Sequence, residues 1–180
     1  PFQVSAYGLS AAAWGTSPDI EMHAQETNPY VAGEYVWTGF DYRGEPTPHE
    51  WPNINSHFGV MDVCGFPKNV YWYYRSWWTD EDILHIAPHW NHKGQEGKAI
   101  KVWVNTNADE VSLIHNGKNL GRKKMPRNGH LTWEVPYKPG WLKAIAFKNG
   151  RKFEKVIETT GPAVSISLTP HKSVIMADGQ

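Results

Sequence analysis

Apolar and polar residues alternate in short stretches through the second half of the chain. At residues 101–105 and 131–135 an apolar side chain recurs at every second position. A period of two predicts strands with one buried face, and the Asn-Gly pairs at 116–117 and 149–150 predict two-residue hairpin turns. The predicted strands are residues 83–87, 99–105, 110–115, 130–135, 141–148 and 152–159.

Strands of this length and spacing predict a β-sandwich. We expect residues 83–161 to form an immunoglobulin-like sandwich without the disulfide, because Cys64 is the single cysteine of the sequence. After Gly161-Pro162, residues 163–168 alternate again. They predict one more strand, with which residues 162–180 would begin a further β domain.

The first 82 residues follow a different pattern. Residues 17–19 are Ser-Pro-Asp, an N-cap followed by a first-turn proline and acid, and they predict a short helix over residues 20–27. Residues 30–38 are rich in β-forming side chains without alternation, which indicates a strand buried on both faces, as in a parallel sheet. A long loop and a second helix over residues 67–78 follow, and the helix has apolar side chains at helical spacing: Val70, Tyr73, Tyr74 and Trp77. The predicted fold class is therefore α/β for residues 1–82, followed by all-β.

Charge divides the chain at the same place. The 18 basic and 18 acidic residues cancel overall, but residues 1–82 hold 3 basic and 11 acidic residues, and residues 83–180 hold 15 and 7. We place the boundary near residues 79–82. The basic residues of the second half are spread over every predicted strand and turn, so we expect a solvated surface and no nucleic-acid partner. No apolar run approaches the roughly 18 residues of a membrane helix, so we expect no membrane segment.

The nine histidines raise the question of a metal site. His85, His89 and His92 have helical spacing, but they surround Pro88 in a β-rich stretch, which removes a common helical face. We therefore expect no bound metal at these residues and no cofactor.

The end of the predicted strand at residues 30–38 carries the candidate chemistry. A tryptophan can stack on the apolar face of a sugar ring, and Asp or Glu can hold the hydroxyl groups of the sugar. We predict that Trp37 binds a sugar, and that Asp41 and Glu45 either meet the same substrate or orient other groups of the loop. The alternative is that Trp37 belongs to the core and that the acids cap turns.

Three residues further along the loop are candidates for a more distant sugar subsite. His49, Glu50 and Trp51 combine an aromatic ring with hydrogen-bonding groups. Of these we predict substrate binding for His49 and Trp51. The alternative is that they are exposed loop residues without a role.

A long motif in the first unit resembles a known family. Residues 28–42 read N-P-Y-V-A-G-E-Y-V-W-T-G-F-D-Y, and residues 44–48 read G-E-P-T-P. Together they resemble the eighth barrel strand of glycoside hydrolase family 2, and within that family the bacterial β-galactosidase branch. Further segments resemble the last loop and helix of that barrel and the β-sandwich that follows it: residues 58–62, 65–74, 109–111, 116–118 and 133–137.

The resemblance implies the last strand and helix of a (β/α)8 TIM barrel, followed by an immunoglobulin-like β-sandwich. It implies the C-terminal part of a retaining glycoside hydrolase that cleaves terminal β-galactosides or related β-glycosides. Such an enzyme needs two carboxylates about 5 Å apart. We expect neither in this chain, because the fourth strand, which bears the acid/base, is absent, and because neither alignment of residues 5–8 with the nucleophile segment supplies a carboxylate.

The nucleophile segment leaves two alignments open. Residues 5–8, Ser-Ala-Tyr-Gly, either match it with Ala6 in place of the glutamate or form the loop after it. We favour the loop, because the 28 positions from Ala6 to Glu34 are few for a strand–helix–strand crossover. Alternation places Glu34 opposite Trp37, so we expect Glu34 to contact the surrounding helices.

The resemblance also implies partners. These are an oligosaccharide substrate and the remaining N-terminal part of the same enzyme. The resemblance also implies a bacterial protein that is periplasmic or secreted, and it is compatible with a homo-oligomer. The sugar, the linkage and any metal ion that supports the site stay open. The alternative function is a non-catalytic carbohydrate-binding or structural module, whose aromatic residues form a binding face or a core.

Overall fold

The computed structural model describes residues 15–46, 49–177 and 179. Within these ranges two helices precede seven strands, and no helix is long and apolar enough to cross a membrane. The elements are α1 (Pro18–Thr27), α2 (Asn69–Trp78), β1 (Leu84–Ala87), β2 (Ala99–Thr106), β3 (Glu110–His115), β4 (Lys118–Lys124), β5 (Leu131–Pro136), β6 (Trp141–Lys148) and β7 (Arg151–Glu158).

The seven strands form two antiparallel sheets. One sheet has the order β1-β2-β5 and the other has the order β4-β3-β6-β7. In a constant-type immunoglobulin domain the fourth strand lies beside the fifth, whereas β4 here pairs with β3. The predicted β-sandwich is confirmed, and its topology is an immunoglobulin-like order in which the fourth strand lies in the opposite sheet.

Alternation along the strands decides which side chains enter the core between the two sheets. In β3, β5 and β6 every second residue is buried. Burying a Val or Leu side chain stabilises a fold by about 1.5–3 kcal/mol, so a set of this size accounts for much of the stability of the sandwich. Six Val and Leu side chains are fully excluded from solvent: Val102, Val104, Val111, Leu113, Val135 and Leu142.

Strand β4 is the element that the sequence pattern did not predict. Its residues Lys118–Lys124 are almost all polar and largely exposed, because β4 is an edge strand of the four-stranded sheet. Charged edge strands are common, since lysines discourage pairing with another chain. The Asn116-Gly117 turn was the available signal, because a hairpin turn requires a strand on both of its sides.

Both predicted helices form. Helix α1 begins at Pro18, directly after Ser17, whose side chain makes no capping hydrogen bond. Helix α2 buries Tyr73 and Ser76. It packs against the three-stranded sheet, with Trp72 stacked on His85 of β1 at 4.9 Å between ring centroids.

Two predicted strands are wrong for this chain. Residues 30–38 are irregular, and so are residues 163–168, whose Val, Ile and Leu side chains are exposed. A strand needs a hydrogen-bonding neighbour, and pairing of the first segment with other described residues begins only at Thr38. Local β-propensity without a partner strand does not produce a sheet.

The first unit is joined to the sandwich by the loop between β4 and β5. Within this loop, Asn128 O accepts a hydrogen bond from the Tyr73 hydroxyl at 2.5 Å, and Gly129 O accepts one from Trp77 Nε1 at 3.2 Å. Arg127 pairs with Glu26 of α1 at 2.9 Å. The two helices are therefore tied to the sandwich, and the division near residue 82 stays a prediction.

Candidate functional site

The candidate site is built on two loop segments that pair with each other. Residues 38–41 and 58–61 lie side by side, joined by backbone hydrogen bonds of 2.9–3.3 Å. Gly59 lies where the segments touch, and a Cβ there would be 2.2 Å from Asp41 N. Only glycine fits so close an approach. This pairing fixes the base of the Trp37 loop, which we define as residues 37–46.

The Trp37 loop presents an exposed indole ring that is held by hydrogen bonds. The side chain of Trp37 is 74% exposed. Its Nε1–H donates to the Tyr42 hydroxyl at 3.2 Å, and Tyr42 in turn donates to Glu45 Oε2. The hydrogen bond to Glu45 raises the pKa of Tyr42. These hydrogen bonds place the aromatic face of Trp37 beside the Tyr42 hydroxyl and the Glu45 carboxylate. Proteins hold sugars with groups of these kinds.

Asp41 is a charged residue of the Trp37 loop whose side chain is largely shielded from solvent. Its side chain is only 8% exposed, and its Oδ1 accepts hydrogen bonds from Lys68 Nζ at 2.7 Å and from the Gly59 amide at 2.8 Å. The sequence allowed two roles for Asp41, contact with substrate or orientation of other loop groups. Its contacts in this structure are with Lys68 and Gly59, and contact of Asp41 with substrate stays a prediction.

His49 lies against another histidine. The His49 and His57 rings are 5.2 Å apart and nearly perpendicular. Burial lowers the pKa of His57, and the nearby Lys68 acts in the same direction, whereas Asp41 opposes it. Trp51 is 82% exposed. A role of His49 and Trp51 in a second sugar subsite therefore stays a prediction.

Glu34 reaches helix α1. The pKa of its carboxyl group is raised, first by burial and then by the neighbouring Glu21 carboxylate. The expected contact between Glu34 and the surrounding helices of a barrel stays a prediction. The Ser-Ala-Tyr-Gly segment at residues 5–8, on which the nucleophile alignment depends, lies outside the described residues.

Three tryptophans of the sandwich, Trp90, Trp103 and Trp133, are largely buried. Trp90 is 1% exposed and Trp133 is 5% exposed. The rings of Trp103 and Trp133 are covered by Lys101 and Lys123, whose Nζ atoms lie 4.9 and 4.8 Å from the ring centroids. These rings serve the core, which does not favour the alternative of a sandwich that binds carbohydrate through its aromatic residues.

The histidines considered for a metal site have other contacts. His85 stacks on Trp72, and His89 stacks on His92 at 4.9 Å. In the described part of the chain no group of three or more His, Cys, Asp or Glu residues could hold a metal ion.

Sequence reasoning missed three residues of the site. Tyr42 joins Trp37 to Glu45, Gly59 permits the two segments to touch, and Lys68 binds Asp41. The resemblance included all three positions, but no local pattern assigned them a contact. Lys68 and Asp41 are 27 positions apart, so their pairing depends on how the long loop folds.

Comparison with known proteins adds to this picture. A family model described as a domain of unknown function (DUF4982) matches residues 97–154, within the sandwich. The chain is 44% identical over 182 residues to β-galactosidase BoGH2A of Bacteroides ovatus, covering 99% of the chain and 21% of that protein. It is 30% identical over 114 residues to a β-glucuronidase of Formosa agariphila, covering 62% of the chain and 11% of that protein.

The solved structures that superpose on this chain are also of glycosidases. A β-glycosidase from Bacteroides vulgatus superposes with a TM-score of 0.88 at 34% identity, covering 98% of this chain and 22% of that chain. A glycosyl hydrolase family 2 member from Bacteroides cellulosilyticus superposes with a TM-score of 0.73 at 28% identity, covering 90% and 24%. The matched proteins are glycosidases.

More particularly, the chain is homologous to members of glycoside hydrolase family 2, and the family resemblance seen in the strand motif is confirmed. The chain spans about a fifth of the length of the relatives that it matches over nearly its whole length.

Proposed function

We propose that this chain is the C-terminal part of a retaining glycoside hydrolase that cleaves terminal β-galactosides. In this enzyme the Trp37 loop contributes to the sugar-binding site. The observation that carries the proposal is the exposed Trp37 ring, fixed by Tyr42 and Glu45, in a chain that is 44% identical over 99% of its length to a β-galactosidase.

The hydrogen bond of Trp37 explains why its ring suits a sugar. With Nε1–H bound to Tyr42, the polar edge of the indole is already satisfied and the apolar face stays free. A fixed ring loses little conformational entropy on binding. The Glu45 carboxylate and the Tyr42 hydroxyl next to it supply acceptors for sugar hydroxyl groups.

Charge near Trp37 favours a neutral sugar over a uronic acid. A glucuronide carries a carboxylate, which needs a cation opposite it and is repelled by another carboxylate. The charged group of the Trp37 network is Glu45, and Lys68 is already paired with Asp41. Arg43, a cation of the same loop, is not part of the hydrogen-bonded network of Trp37, Tyr42 and Glu45. This supports a galactoside rather than a glucuronide, although both kinds of relative are known.

We infer that the remainder of a (β/α)8 barrel covers the first unit. Tyr30 and Tyr35 are largely exposed, and a groove of about 500 Å³ runs between residues 34–39 and helix α2. An apolar surface of this kind is typical of a region that packs against another part of a protein. The two catalytic carboxylates would then come from that remainder.

The experiment compares the complete polypeptide with the 180-residue chain. The complete polypeptide should hydrolyse 4-nitrophenyl β-galactoside at a kcat/KM at least about tenfold above that for 4-nitrophenyl β-glucuronide, and the 180-residue chain should hydrolyse neither. A preference for the glucuronide would overturn the galactoside proposal. Turnover by the 180-residue chain, abolished by a substitution within it, would overturn the proposal that the catalytic carboxylates lie elsewhere.

A further inference from the structure

A partly buried ion pair links Asp41 of the Trp37 loop to Lys68. The Nζ atom of Lys68 is 2.7 Å from Asp41 Oδ1, and the two side chains are 18% and 8% exposed. The same Oδ1 accepts the Gly59 amide, and Lys68 Nζ also donates to His57 O at 3.3 Å. A buried carboxylate that receives two donors is held in one orientation, because either donor alone would leave part of its charge unsatisfied.

The ion pair joins three segments of the chain. Asp41 belongs to the Trp37 loop, Gly59 belongs to the segment paired with that loop and His57 directly precedes that segment, and Lys68 directly precedes α2. Helix α2 is itself anchored to the sandwich through Tyr73. Through Lys68 the sandwich is therefore connected to the loop that carries the exposed tryptophan.

The contacts continue from Asp41 to the indole of Trp37. The residue after Asp41 is Tyr42, whose amide donates to Ser56 Oγ at 3.0 Å and whose hydroxyl accepts from Trp37 Nε1. Moving the Asp41 backbone would move Tyr42, and with it the group that holds the indole ring.

We propose that Lys68 is a positioning residue: it holds Asp41, and through Tyr42 it sets the orientation in which Trp37 meets the sugar. This inference rests on the proposed function. Lys68 does not touch the substrate in this arrangement, and its effect on the reaction passes through Trp37.

A double-mutant cycle in the complete polypeptide tests the proposal. Lys68→Met should lower kcat/KM for 4-nitrophenyl β-galactoside by about 10- to 100-fold, because a displacement of about 1 Å at a binding group is enough for such a loss. In a Trp37→Ala background the same change should lower kcat/KM by less than about twofold, since the residue through which Lys68 acts is gone. Lys68→Arg should restore most of the activity.

The control is another lysine in an ion pair. Lys143 pairs with Glu154 at 3.1 Å on the sandwich surface, and Lys143→Met should leave kcat/KM unchanged. If the losses from Lys68→Met and Trp37→Ala multiply, Lys68 acts independently of Trp37 and the proposal is overturned. If Lys68→Met does not fold, the double change Asp41→Asn with Lys68→Met replaces it, because it leaves no unpaired buried charge.

Amide exchange separates this proposal from the proposed function. In Lys68→Met the Tyr42 and Gly59 amides should exchange at least about tenfold faster, while the β2 and β6 amides keep their protection. Unchanged exchange at Tyr42 and Gly59 would overturn the positioning role, whichever sugar the enzyme cleaves. An unsubstituted enzyme without activity on the galactoside would instead overturn the proposed function.

Discussion

The two regions of this molecule use the same kind of side chain in opposite ways. In the sandwich, Trp90 and Trp133 are almost fully buried and complete a core between two sheets of paired strands. In the first unit, Trp37 and Trp51 are exposed on loops that pair over only a few residues. The difference teaches that an aromatic-rich sequence predicts neither a core nor a binding face until the partners of its backbone are known.

Amide exchange should separate the two regions by the largest margin. In the 180-residue chain, the amides of β2 and β6 should be protected at least about a thousandfold more strongly than those of residues 30–37, because core strands open only with global unfolding.

Limited proteolysis should cut first between residues 39 and 67 and leave a core that begins near Asp82. If residues 30–37 were the best protected in a monomer, the first unit would be a self-contained domain and the comparison would fail.

Matched tryptophan substitutions compare the regions through stability. Trp133→Ala should lower the free energy of unfolding by about 3–5 kcal/mol, because it opens a cavity in the core. Trp37→Ala should change it by less than about 0.5 kcal/mol, as expected for an exposed side chain. Urea denaturation of the same 180-residue chain measures both. Equal losses would place Trp37 in a core.

The contact between the two regions should be sensitive to acid. The His85 ring stacks on Trp72 and is hydrogen-bonded to Asn69 Oδ1 at 2.9 Å. Burial, with a smaller effect of Lys155, lowers the pKa of His85 to about 4. The unfolded chain binds this proton near the ordinary pKa of about 6.5. Stability should therefore fall as the pH drops from 6.5 to 4, by up to about 3 kcal/mol.

The measurement for His85 is the unfolding free energy at pH 8 and at pH 4.5, in the unsubstituted chain and in His85→Gln. Because glutamine does not titrate, the variant should lose less stability between the two pH values. The comparison at pH 8 controls for the neutral contacts that the substitution removes. Equal acid dependence in both proteins would show that His85 is not the buried group that titrates.

Trp37 should affect catalysis rather than folding. In the complete enzyme Trp37→Ala should lower kcat/KM by about 5- to 150-fold, equivalent to roughly 1–3 kcal/mol of lost stacking. Trp51→Ala is the matched control, because a short aryl galactoside does not reach a distant subsite, and its loss should stay below about threefold. An unchanged kcat/KM for Trp37→Ala at an unchanged melting temperature would exclude the indole from the sugar site.

Local pattern determined much of the sandwich and both helices. The predicted bounds of β3 and β6 are those of the structure, because alternation along one strand reports its buried face directly. Helix α1 follows from the Ser-Pro-Asp start. The same local reasoning placed Trp37 and Glu45 in one candidate site, since they are only eight positions apart and share a loop.

Only the tertiary structure decided features that depend on distant partners. The polar edge strand β4 exists because β3 pairs with it, whereas residues 30–38 and 163–168 have strand-like sequences and form no strand in this chain. The pairing of Asp41 with Lys68 required the loop between them to fold back across 27 positions. Periodicity reports the environment of a single segment, but hydrogen-bond partners, ion pairs and exposure are properties of two segments brought together.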